Sequence, residues 1–242
     1  VWALQLQYLQ NESRRLSSLT RLVVGGAAAP RSMIEAFERQ GIEVFHAWGM
    51  TEMSPVGTIG SVKPAASHLH GDALIDLKCK QGFAPFSVEM KITDDEGRRL
   101  PWDGKTFGRL KVAGAAVASA YFRSDQRILD DEGYFDTGDV ATIDAHGYMQ
   151  ITDRAKDVIK SGGEWISSIA LENLAVAHPD VAEAAVIGIP SAQWGERPLL
   201  VVVAKEGRAI EPDSVLAHMR GKVASWWLPG QIAIVVELPH TA

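Results

Sequence analysis

The stretch Leu22-Val23-Val24-Gly25-Gly26-Ala27-Ala28-Ala29-Pro30, continued through Ile34 and Phe37 to Val44-Phe45-His46-Ala47-Trp48-Gly49-Met50-Thr51-Glu52, decides the fold. The apolar triplet at 22–24 reads as a strand. Pro30 opens a helix at its first turn, and Ile34, Phe37 and Ile42 mark the buried side of that helix. A second strand over 44–47 runs into a loop from Trp48 to Glu52. Strand, crossover helix and strand imply a parallel α/β layer, in which ligands collect at the carboxyl ends of the strands. Gly25-Gly26 and Thr51-Glu52 both fall at such ends.

From about residue 72 to 152 the hydrophobic period changes to two. Val88, Met90 and Ile92 alternate before the turn Asp94-Asp95-Glu96-Gly97, and residues 144–147 separate two further strand-like segments. This part reads as an antiparallel sheet or small barrel. After Asp153 the pattern resets to a short strand, a glycine turn, a short strand and a helix near 169–177. Strands follow at 184–189 and 198–204, then a helix at 212–223 and a strand at 232–236. The expectation is an α/β chain: a parallel β/α layer over 1–60, a barrel-like subdomain over 61–152, a joint at 153–157 and a small α/β domain over 158–242.

With 242 residues, 46% of them hydrophobic, the chain can bury a substantial core. A formal net charge of -6 without a long basic stretch argues against a nucleic-acid surface. A lone cysteine, Cys79, excludes an internal disulfide framework and fits a reducing compartment, with the cytoplasm as the default. The longest apolar run, Leu199 to Ala204, is strand-sized and far short of the roughly 20 residues that cross a bilayer, so no transmembrane segment and no signal peptide is expected. Because it opens on Val1 and stops at Pro239-His240-Thr241-Ala242 directly after a strand-like run, the chain reads as a piece of something longer.

Three polar signatures carry the chemistry. In Trp48 to Glu52, Thr51 can donate to phosphate oxygens and Glu52 can hold a hard cation such as magnesium; an ordinary helix cap explains the same pair. In Tyr134-Phe135-Asp136-Thr137-Gly138-Asp139, the last carboxylate can accept both hydroxyls of a ribose, or sit in a plain Asp-Gly turn. In Asp153-Arg154-Ala155-Lys156, Arg154 offers a rigid fork of donors beside a joint, or belongs to a solvated charge run. Ser161-Gly162-Gly163-Glu164-Trp165 permits close passage of a ligand or a simple hairpin. The loop Gly25 to Pro30 lacks bulk, so a flat base can lie on it with Trp48 stacking. Together the inventory suits activation of an acid by ATP. Competing motifs fail: Gly104-Lys105-Thr106 ends like a phosphate-binding P-loop, but its first glycine position is Arg99. No Gly-x-Ser-x-Gly elbow is present, and His68-x-His70 lacks zinc partners.

Read in order, Gly25 to Pro30, Trp48 to Glu52, Gly108 to Tyr121, Tyr134 to Asp139 and Asp153 to Glu164 resemble the adenylate-forming superfamily of acyl-CoA synthetases, firefly luciferase and peptide-synthetase adenylation domains. The wording from Ser161 to Ser168, with Trp194-Gly195-Glu196-Arg197-Pro198, looks most like medium- and long-chain fatty acyl-CoA synthetases. The resemblance implies the end of a large α/β domain followed by a small mobile one, with ATP, Mg2+ and coenzyme A as cofactors and a fatty acid as substrate. It implies that Thr51 meets the α-phosphate and Glu52 the magnesium. Gly25, Gly26, Ala27, Ala47, Trp48, Gly49 and Met50 would face adenine, and Asp139 and Arg154 the ribose. Lys156 would be the hinge, and Ser161, Gly162, Gly163, Glu164 and Trp165 the coenzyme A side. It also puts the family's phosphate loop before Val1 and its catalytic lysine after Ala242, so the isolated chain is expected not to complete a ligation. Other readings are an aryl-CoA ligase or amino-acid adenylating enzyme and, in another class, a non-catalytic nucleotide-binding or interaction module.

Overall fold

A computed structural model describes residues 2–12, 14 and 16–239; the expectations at Val1 and His240 to Ala242 lie outside them. The chain divides into two compact units, Val1–Thr137 with Ala141–Ile151, and Gly138–Val140 with Thr152–Ala242.

In the first unit a helix, α1 (Trp2–Asn11), precedes β1 (Arg21–Val24), α2 (Arg31–Glu38) and β2 (Glu43–Gly49). Strands β1 and β2 pair in parallel with Val24 beside His46, as the opening stretch implies. In β1 every second residue is buried, and α2 buries Met33, Ile34 and Phe37 on one face, so both elements cover a common core that includes Leu22, Val24 and Ile42. Strand β2 continues through Trp48 and Gly49, further than the sequence indicates. It does so because β3 (Val56–Ile59) folds back antiparallel on it, matching Ala47 with Ile59 and Trp48 with Thr58. A short 3-10 turn, Thr51–Met53, joins the two.

The next segment corrects the expectation of a two-residue period from residue 72. Gly71–Cys79 is a helix, α3, with no fully buried residue. Ile75 and Cys79 pack against the core of the α/β layer, and on its exposed side Arg31 of α2 binds Asp76 and, at 2.7 Å, Asp72. Beyond it, β4 (Val88–Thr93), β5 (Gly108–Gly114), β6 (Phe135–Ile143) and β7 (Met149–Arg154) form a four-stranded sheet in that order, with β4 and β5 antiparallel. Ile92, Leu110, Val112 and Ile143 are fully buried beneath it. Such burial contributes about 1.5–3 kcal/mol per aliphatic side chain.

In the second unit β8 (Ile159–Ser161) and β9 (Glu164–Ile166) make a hairpin, followed by α4 (Ser168–Val176), β10 (Val181–Ser191), β11 (Gly195–Ala204), α5 (Pro212–Met219) and β12 (Gln231–Val235). Strands β10 and β11 pair over almost their whole length, β12 runs parallel to β11, and the sheet order is β10-β11-β8-β9. Helix α5 is shorter than expected because Arg220 leaves helical geometry at φ -58, ψ 137. Leu171, Val181, Leu200, Val202, Val215 and Met219 are completely buried between this sheet and its helices.

Candidate active site

In the first unit the backbone dictates where the candidate nucleotide residues lie. Gly25 follows β1 directly, and a Cβ there would stand 3.3 Å from the Ala47 carbonyl, so the Gly25 to Ala28 loop lies against the end of β2. Gly25, Gly26, Ala27 and Ala28 are exposed, whereas Ala29 is buried. Trp48, half-buried on β2, turns its indole onto Gly57 of β3. A Cβ on Gly57 would fall 2.6 Å from Trp48 Cε3 and 2.8 Å from Met53 Cε, so only glycine leaves room for the ring there. Gly57 was not legible as a site residue, because its meaning depends on the register of β2 with β3.

Thr51 is exposed and opens the 3-10 turn with Met50 as its cap residue and no side-chain cap bond, so the helix-cap reading of Thr51 fails. Glu52 is half-buried; its Oε1 accepts a hydrogen bond from the Tyr121 hydroxyl at 2.8 Å, and its carbonyl accepts from the Ala118 amide at 2.8 Å. The Glu52 carboxylate holds the phenol proton and raises the Tyr121 pKa above its ordinary value. Tyr121 therefore aims Glu52 from 69 residues away. Among the described residues no group of three or more His, Cys, Asp and Glu side chains is arranged to hold a metal. A single carboxylate fits magnesium nonetheless, because that ion usually takes one or two carboxylates and completes its octahedron with phosphate oxygens and water.

In the second unit Asp139 is not in a turn. It lies within β6, its side chain 4% exposed, and Oδ1 meets Arg154 Nη1 at 2.8 Å. Arg154, 56% exposed, combines that ion pair with open donors. Next to it, Asp153 is buried and ties β7 to the start of α4: its carboxylate accepts the Ser168 amide at 2.6 Å and the Ser168 hydroxyl at 3.1 Å. Burial raises the Asp153 pKa against the lowering effect of these bonds. Ser167 caps α4 through the Ala170 amide and donates its hydroxyl to the Thr152 carbonyl. Lys156 is exposed in the turn that follows, where the Asp157 and Val158 amides both reach the Arg154 carbonyl at 2.9 Å.

The Ser161 to Trp165 segment is a hairpin tip with Gly162 and Gly163 at φ 62 and 85. Gly162, Gly163 and Glu164 are exposed, Trp165 is half-buried and Ser161 is buried. The Gly162 amide donates to the Trp194 carbonyl at 2.8 Å, and a Cβ on Gly162 would stand 3.0 Å from the Trp194 ring. Arg197 Nη1 reaches Ser161 Oγ at 3.2 Å while Nη2 donates to the Leu228 carbonyl at 2.9 Å, so one guanidinium joins the glycine hairpin to the Trp226-Trp227-Leu228 turn. A cavity of about 460 Å³ lies nearby in this unit, lined by Asp153, Arg154, Lys156, Glu172, Val186 and Glu196 among others. The P-loop lookalike at 104–106 holds no phosphate cradle. Its Lys105 and Thr106 amides are taken by the Asp103 carboxylate at 2.8 and 2.7 Å, which holds Asp103 down at about 2.

The AMP-binding enzyme model matches residues 2–122, half of the chain, and the AMP-binding enzyme C-terminal domain model matches 170–242; the chain belongs to the AMP-binding enzyme family. Among its relatives are a 3-methylmercaptopropionyl-CoA ligase of Ruegeria pomeroyi, 51% identical over 100% of this chain and 45% of that protein, and a medium-chain-fatty-acid–CoA ligase of Ectopseudomonas oleovorans, 47% identical over 99% of this chain and 44% of that one. The chain thus spans less than half the length of the curated relatives it matches. In three dimensions it is similar to an o-succinylbenzoate CoA synthetase from Bacillus subtilis in complex with its acyl-adenylate intermediate. The TM-score is 0.81 at 27% identity, over 98% of this chain and 46% of that one. The same synthetase in complex with ATP and magnesium gives 0.79. No described helix is long and apolar enough to cross a membrane.

Proposed function

We propose that this chain supplies the adenine, metal, ribose and coenzyme A contacts of an ATP-dependent acyl-CoA ligase acting on medium- or long-chain fatty acids. The observation that carries the reading is likeness along the whole chain to CoA ligases whose names specify different acids. In this reading a carboxylate oxygen attacks the α-phosphate of ATP, pyrophosphate leaves, and the coenzyme A thiol then displaces AMP from the acyl carbon. Trp48 and the Gly25 to Ala27 loop, with Ala47, Gly49 and Met50, take the base, Thr51 donates to the α-phosphate, and Asp139 and Arg154 take the ribose. Magnesium beside Glu52 would offset charge developing on the phosphates, which fixed donors do without reorganising. Lys156, between residues 1–152 and 158–242, is the pivot that exchanges these contacts for the Ser161 to Trp165 hairpin facing coenzyme A.

A shorter thioether acid is the second reading, favoured by the 51% identity to the methylmercaptopropionyl-CoA ligase. Incubating the complete gene product with ATP, magnesium, coenzyme A and, in turn, octanoate, dodecanoate, 3-methylmercaptopropionate, benzoate and an amino acid tests both. AMP release with thioester formation, fastest on the fatty acids, is the expected result. Preference for the thioether acid selects the second reading, and no AMP release with any acid refutes both.

A further inference from the structure

His46 is 2% exposed on β2, and it meets the Gly25 to Ala29 loop at both ends. At the start, the parallel register sets Val24, the last residue of β1, beside His46. At the finish, the Ala29 amide points at His46 Nε2, 3.4 Å away. The opposite ring nitrogen, Nδ1, stands 3.0 Å from the Cys79 carbonyl, an acceptor only, so Nδ1 carries the proton and Nε2 presents a lone pair. Gln81 backs the ring: its Nε2 is 3.5 Å from His46 Nε2, its Oε1 accepts the Ile151 amide at 2.7 Å, and its carbonyl accepts the Thr58 hydroxyl at 2.6 Å. Burial, the largest effect on the ring, lowers its pKa against the raising effect of hydrogen bonds to the Cys79 and Ala27 backbone, so the ring meets the loop at Ala27 as well as at Ala29.

We propose that His46 is a positioning residue for the nucleotide base: its imidazole closes the Gly25 to Ala29 loop into the one conformation whose exposed backbone receives adenine. The inference rests on the loop being the adenine contact, as proposed above. A loop of glycine and alanine has no polar side chain of its own to hold it, so the acceptor beneath the Ala29 amide acts together with the buried Ala29 methyl to fix it. Discrimination between bases then depends on a residue that touches no nucleotide.

Two substitutions in the complete gene product test this: His46→Phe, which keeps a ring but removes its polar contacts, and His46→Gln, which keeps a donor and an acceptor. In His46→Phe the Ala29 amide should exchange with deuterium at least about tenfold faster, while Leu22 to Val24 in β1 remain protected. The KM for ATP should rise about tenfold with kcat at saturating ATP and the KM for the acid within about twofold, and the preference for ATP over GTP should fall. His46→Gln should recover most of each change. Equal rises in the KM for ATP and for the acid, or unaltered base preference with faster Ala29 exchange, would reduce His46 to a packing residue. Wild-type enzyme that turns over without ATP dependence refutes the adenine reading together with this one; a wild type that uses ATP and a His46→Phe variant that matches it refutes this inference alone.

Discussion

Replacing Arg154 by Met removes a guanidinium from a carboxylate that has almost no water of its own. Arg154 Nη1 and Asp139 Oδ1 are 2.8 Å apart, with the two side chains 56% and 4% exposed. At an effective dielectric constant of about 20, two unit charges at that separation attract by about 6 kcal/mol before desolvation. Water around the arginine and the cost of burying the aspartate cancel much of this. Fully exposed pairs contribute about 0.2–1 kcal/mol, and breaking a fully buried one costs about 3–5 kcal/mol. A pair with one buried and one half-exposed partner belongs between, at about 2 kcal/mol. Arg154→Met should therefore destabilise the protein by about that amount, more than Asp139→Asn does, because the first leaves the charge in place and the second removes it. The double variant should be nearly as stable as Asp139→Asn alone. Urea denaturation of the four proteins in the cycle gives the coupling directly. A coupling below about 0.5 kcal/mol, or a Arg154→Met protein as stable as wild type, would mean that the pair is a surface contact and that Asp139 is held by other groups. If the same residues take the ribose, Arg154→Met should also raise the KM for ATP more than that for the acid.

Tyr121→Phe should raise the magnesium concentration for half-maximal pyrophosphate exchange by about tenfold, the low end for loss of a partner that aims a metal ligand, and an unchanged magnesium titration would sever Tyr121 from the metal. Lys156→Pro fixes φ near -65° at the proposed pivot; it should keep acid-dependent pyrophosphate exchange yet lose most thioester formation, with equal losses in both half-reactions counting against a pivot. Glu172, raised in pKa by burial, then by Asp153 and Asp157 against the Val186 amide, holds protons more tightly folded than unfolded. It therefore weakens the fold increasingly as pH rises through and above the ordinary carboxylate range. Glu172→Gln, which keeps an acceptor for the 2.9 Å bond from Val186, should raise the melting temperature at pH 7 and hardly at all at pH 4; a constant or inverted difference would contradict the burial.

What was legible in the sequence were the features written in adjacent residues. The β1-α2-β2 layer announced itself through an apolar triplet, a proline at the helix start and the spacing of Ile34 and Phe37, and the structure reproduces it. The hairpin at Ser161 to Ile166 followed from two consecutive glycines. Helix α3 was hidden because its apolar side is short: Ile75 and Cys79 pack against the core, while Arg31, more than 40 residues before Asp72 and Asp76, holds the exposed side. The same distance hid the supports of the candidate site. Glu52 could be singled out for its carboxylate, but not Tyr121 that aims it, and Trp48 for its ring, but not Gly57 beneath it. Asp139 and Asp153 both lie inside strands, yet one pairs with Arg154 and the other holds the Ser168 amide at the start of α4, a difference made by partners 15 residues away and not by neighbours.

Cys79, whose carbonyl fixes the tautomer of His46, has a thiol that burial pushes up to about 11. At pH 7 about one such sulfur in ten thousand is ionised, some 300-fold fewer than for an ordinary thiol with a pKa near 8.5. The single cysteine of these 242 residues therefore reacts slowly with maleimides and disulfide reagents compared with an exposed thiol. A reporter cysteine introduced at an exposed position such as Lys156 or Glu164 would take a fluorophore or spin label selectively, with the native sulfur left in place.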